Sequence, residues 1–138
     1  MQVGGLFSTP IFMITQEIEL PWGFPTLNDL LNITARHWSQ RHKSKKQWQG
    51  VCKIAIRQGN LKPLAGAVDV TFIFFPPNAR RDPDNASAVV RKFMLDSLQE
   101  EGIIEQDNWR GIAGLHDRFE EPDKDNPRII MRIKGNKK

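Results

Sequence analysis

The chain has 138 residues, 39% of them apolar and 26% charged, and a net charge of +4. That length and apolar share suit one small domain able to bury its own core. No apolar run approaches the roughly 18 residues of a membrane span. The opening, MQVGGLFSTPIFMITQEIEL, has no basic lead and carries Glu17 and Glu19, so it is not expected to act as a secretory signal. A single cysteine, Cys52, excludes an internal disulfide and a cysteine-rich zinc site. A reducing cytoplasm is the expected compartment.

In chain order, residues 11–20 alternate weakly before Pro21 and predict a first strand. WGFPT is a turn. A helical pattern follows from Leu27 to about Arg57, with a break allowed near His42–Ser44. Val68 to Phe75 is β-branched and aromatic, which predicts a central strand ended by Pro76-Pro77. RRDPDN then opens a second helix, capped by Asp84 or Asn85 and stopping at Gly102. Residues 110–119 and 128–134 predict two last strands, which EEPDKDNP could join as a hairpin with a long loop. The order β-α-β-α-β-β predicts an α/β fold, a small mixed sheet with two main helices against it, over a single domain 1–138 with a flexible tail at 135–138.

The positive charge is local. Residues 1–29 hold three acids and no Lys or Arg, residues 30–68 hold eight bases and no acid, and residues 69–138 hold 13 acids and 12 bases. A helix kept merely soluble mixes signs along its face. An acid-free block carrying Arg36, Arg41, Lys43, Lys45 and Lys46, with Trp38 and Trp48 among them, reads as a surface for a polyanion such as DNA.

RRDPDN carries the sharpest chemistry. Asp82 and Asp84 sit two apart in an extended turn, and Pro83 holds Asp82 extended. Carboxylates this close repel unless a cation lies between them or one is protonated. A hard ion such as magnesium takes carboxylate oxygens and water. Arg80 and Arg81 flank the pair and would neutralise phosphates. Asp107 follows the helix as a third acid, and Asp84, Ala88, Lys92 and Asp96 step by four along one ridge. Carboxylates, magnesium and a basic surface together suit phosphodiester hydrolysis. A plain turn with a helix cap is the competing reading of a bare DxD. An EF-hand loop is excluded, because Ser87 stands at its sixth position and Phe93 at its twelfth. A nucleotide-directed DxD hydrolase or transferase leaves the acid-free block unexplained. Of the histidines, His116, next to Asp117, falls in a predicted strand and reads as structural.

RRDPDN, then KFMLDSL, then a glycine and an acid five residues later, resembles the RusA family of Holliday junction resolvases, in particular its phage-associated Gram-positive branch. The matching positions are Arg80, Arg81, Asp82, Asp84, Asn85, Lys92, Asp96, Leu98, Gly102 and Asp107. The later GLHDRFEEPDKDNPRI and the early LNDLL followed by HKSKKQW also resemble the family. The resemblance implies a magnesium-dependent endonuclease, with manganese as a substitute ion, that acts as a homodimer on four-way DNA junctions in recombination and repair. It implies Asp82, Asp84 and Asp107 as metal ligands and Lys92 as a catalytic lysine. A junction- or DNA-binding protein with a degenerate metal site is the alternative.

Overall fold

The computed structural model describes residues 13–30, 38–80 and 83–138, and for 38–42, 84 and 85 it describes the backbone alone. Strand β1 (Met13–Pro21) is followed by helix α1 (Trp38–Gln58), strand β2 (Leu64–Phe75), helix α2 (Pro83–Glu100), strand β3 (Ile112–Phe119) and strand β4 (Arg128–Lys137). The four strands form one sheet in the order β1-β4-β2-β3. β4 runs antiparallel to both β1 and β2, while β3 runs parallel to β2. The sheet is therefore mixed, and β2 is an interior strand as its sequence predicts. Residues 27–30 are helical, and the turn is closed by reciprocal bonds: Thr26 N–H donates to Asp29 Oδ2, and Asp29 N–H to Thr26 Oγ1.

Period-two patterning decides the face of each strand. In β2, Val68, Val70, Phe72 and Phe74 are all buried, and Ile133, Met131 and Ile129, the β4 register partners of the last three, are buried with them. Ile18 and Leu20 of β1 join that face. Both helices cover it. Cys52 and Ile56 of α1, and Val89, Val90, Phe93, Met94 and Leu98 of α2, recur at helical spacing and complete the core. Phe72 and Phe74 each remove enough apolar area to favour the fold by about 2–3 kcal/mol. The opposite face carries Glu17, Asp69, Thr71, Arg132 and Lys134, together with the buried Ile73.

Several expectations change. β3 and β4 do not pair with each other; β2 lies between them. The buried side chains of β2 outweigh chain proximity here, because β2 needs a partner on both edges. Gly135 to Lys137, expected as a tail, continue β4 in register with β1 and β2. α1 is unbroken through His42–Ser44. α2 begins at Pro83, so Asp84 and Asn85 lie in its first turn rather than at its cap. Proline suits that first position because it has no N–H to leave unbonded. The helix ends as expected at Gly102, whose φ of +75° favours glycine.

Candidate nucleic-acid and metal site

β2 ends at Phe75, and the chain turns through Pro76, Pro77 and Asn78 before α2 starts at Pro83. Arg80 and Pro83 therefore sit where the carboxyl ends of the parallel strands β2 and β3 meet the amino end of a helix, the usual place for ligands in such sheets. Arg80 is exposed, and its N–H donates to Asn78 Oδ1 at 3.0 Å. Arg81 and Asp82 lie outside the described residues, and Asp84 is placed by its backbone.

Asp107 is elsewhere. It hydrogen-bonds Asp96 near the far end of α2, where Lys92 Nζ also bonds Asp96 Oδ1 at 3.3 Å. Burial raises the Asp96 carboxyl above its ordinary range, the Asp107 hydrogen bond raises it further, and Lys92 partly opposes both. Asp84 and Asp96 are twelve helical residues apart, or about 18 Å along the axis. A single copy of the chain thus brings Asp107, Asp96 and Lys92 together and keeps Asp84 apart from them. No trio of His, Cys, Asp or Glu among the described residues is placed to hold a metal ion. A magnesium ion shared by Asp84 and Asp107 does not fit a single copy of the chain.

Arg91, one residue before Lys92, is occupied differently. Its Nη1 donates to Asp117 Oδ2 at 2.7 Å, tying α2 to β3. Asp117 Oδ1 is buried without a partner. His116 faces the other side of the sheet and bonds Asp69 Oδ1 at 3.0 Å. Gly114 makes room for that bond, since a Cβ there would fall 1.8 Å from Asp69 Oδ1. The expected structural role of the 116–117 pair thus divides between two faces of one strand.

The basic block divides as well. Lys53 bonds Glu100 at 2.6 Å, and Arg57 makes a two-pronged bond to Glu101 at 2.7 and 2.9 Å. Arg57 holds the Glu101 carboxyl below its usual range, chiefly through those hydrogen bonds. Ser97 Oγ reaches Gln49 O at 3.5 Å. The contacts 49–97, 53–100 and 57–101 advance together along both helices, so α1 and α2 run parallel. Carried back from the Gln49–Ser97 contact, that register sets Lys43, Lys45 and Lys46 level with the middle of α2, beyond the first turn that holds Asp84, and all three are exposed. Arg41 is on α1 by its backbone, and Arg36 lies outside the described residues. Sequence counting finds eight bases but not that acids from the end of α2 neutralise two of them.

No family model and no curated protein matches the chain. No described helix is long and apolar enough to cross a membrane.

Proposed function

We propose that this protein is a structure-specific DNA endonuclease, magnesium-dependent and active as a homodimer on four-way junctions. The observation that carries the reading is a set of exposed bases, Arg80 with Lys43, Lys45 and Lys46, in contrast to Lys53 and Arg57, which Glu100 and Glu101 hold. Arg80 stands just before α2, and Lys43, Lys45 and Lys46 lie along α1 beside the middle of α2. Arg80 and Lys43, Lys45 and Lys46 would bind phosphates on either side of the scissile one. A bound magnesium ion would supply an activated water and neutralise charge on the phosphoryl oxygens.

Because Asp107 contacts Asp96, about 18 Å along α2 from Asp84, Asp84 and Asp107 would share an ion only between two copies. A two-fold axis that sets two α2 helices antiparallel exchanges their ends, so an Asp107 end of one copy approaches the Asp84 end of the other. The outer edge of β3 offers a surface for such pairing, with Leu115 41% and Trp109 96% exposed beside it. Paired sites about a two-fold axis suit the symmetric nicks that a four-way junction needs.

A second reading, DNA binding without cleavage, is favoured by the same separation of Asp84 from Asp107. Incubating the protein with a synthetic four-way junction, linear duplex and mononucleotides, with and without magnesium, decides between them. Paired magnesium-dependent nicks near the crossover are expected. Junction binding with no cleavage supports the second reading, and turnover of mononucleotides alone overturns both.

A further inference from the structure

A cleft of about 250 Å³ opens at the carboxyl ends of β2 and β3, immediately beside the start of α2. Trp22, Phe74 and Phe119 line it, together with Pro83 and Ala86 of α2. We propose that this cleft seats one unstacked nucleobase of the DNA substrate; the inference rests on the DNA reading above and names how the strand is held next to the acid-bearing loop.

Shape and stiffness come first. Phe119 stacks on Phe74 with ring centroids 5.2 Å apart and planes 18° apart, yet it is 46% exposed. One ring face is fixed against the core while the other side of the ring is left open. Every base has a π-face, so such a platform takes any of the four. Pro76, Pro77, Pro83 and Pro122 are among the lining residues. Their restricted φ angles limit the ordering cost of binding.

Polar groups then select a base over a plain apolar group. The Asn78 carbonyl oxygen is engaged by the Arg80 N–H, which orients the amide. Its NH₂ is directed away from that bond and can donate to a base carbonyl or ring nitrogen. Glu120 also lines the cleft and is held by Arg118 at 2.7 Å, while Arg80, two residues on from Asn78, is exposed. The Asn78 amide beside a short aromatic slot fits a flat ring carrying hydrogen-bond acceptors, such as a nucleobase, better than the side chain of an apolar peptide.

The test uses labelled duplexes of equal length without magnesium, so that binding is read apart from cleavage. One is fully paired, one carries a single unpaired thymine, and one carries an abasic spacer in the place of that thymine. The wild-type protein is expected to prefer the unpaired thymine over the abasic duplex by about 10-fold. Phe119→Ala is expected to lose that preference while binding the fully paired duplex as before, and Phe119→Trp to keep it. A thermal melt of each variant checks folding, and Phe119 is exposed enough that Ala should retain the fold. Equal binding of thymine and abasic duplexes by the wild type, or a preference that survives in a folded Phe119→Ala, overturns the proposal. Junction cleavage without any base preference removes the cleft's role and leaves the nuclease reading standing. A base preference with no cleavage of any substrate removes the nuclease reading and leaves the cleft.

Discussion

Lys92 Nζ bonds Asp96 Oδ1 across 3.3 Å, so this lysine leans one turn toward the carboxyl end of α2 and away from Asp84. With Asp107 also bonded to Asp96, the three side chains form one charge cluster. Lys92→Met removes the positive partner and should drive the Asp96 carboxyl still higher. Carbon-detected NMR titration of the Asp96 carboxyl measures this, and an unmoved midpoint would break the cluster apart. The sign for stability follows from linkage. The folded Asp96 carboxyl lies above the ordinary value of 3.8, so the folded chain holds its proton more tightly than the unfolded chain. That contribution is complete below 3.8 and is lost as pH rises through the raised folded value. Asp96→Asn should flatten this fall in urea denaturation across mildly acidic pH.

Arg91 and Asp117 make a different kind of pair. The Asp117 side chain is only 13% exposed and one of its oxygens has no partner, so the guanidinium is its main compensation. Arg91→Ala should cost about 2 kcal/mol, less than a fully buried pair because the arginine is one-third exposed. Adding Asp117→Asn should recover most of that loss. Chemical denaturation of the two variants checks it, and a loss that persists in the double variant would mean that Arg91 acts by packing.

Asp84 and Asp107 test the dimer directly. Asp84→Asn and Asp107→Asn should each abolish junction cleavage and retain junction binding. Mixed in equal amounts and allowed to exchange, half the dimers carry one of each, and each of these has one intact site. About a quarter of wild-type sites should return. A mixture as inactive as its components would remove Asp107 from the site.

The lysines of α1 differ by their partners. Neutralising Lys43, Lys45 and Lys46 should reduce the slope of log binding against log salt by about 2–3, roughly 0.9 for each phosphate that no longer meets a cation. Neutralising Lys53 and Arg57 should leave the slope nearly unchanged, because Glu100 and Glu101 already hold them. Salt titrations of junction binding check both arms, and equal slopes for the two sets would place the DNA elsewhere.

Cys52 serves as a probe of the core. Burial pushes its thiol up to about 12, so almost no thiolate exists near neutral pH. A thiol reagent at mildly alkaline pH should leave the native protein unmodified and react on unfolding. Reaction at a free-thiol rate in the native protein would place Cys52 outside the core.

The amino-acid sequence by itself determined the element types and the stop at Gly102. Those follow from periods of two and 3.6 residues and from one glycine's φ, all of which act within a few residues. It also marked the acid-free stretch, because charge counting needs no geometry. Only the tertiary structure decided that β2 separates β3 from β4, that Glu100 and Glu101 neutralise Lys53 and Arg57, and that Asp107 joins Asp96 instead of reaching Asp84. Each of these depends on which elements lie side by side. That choice is made by burying Phe72, Phe74, Met131 and their neighbours against two helices, and the long-range pairings that result leave no local trace in the chain.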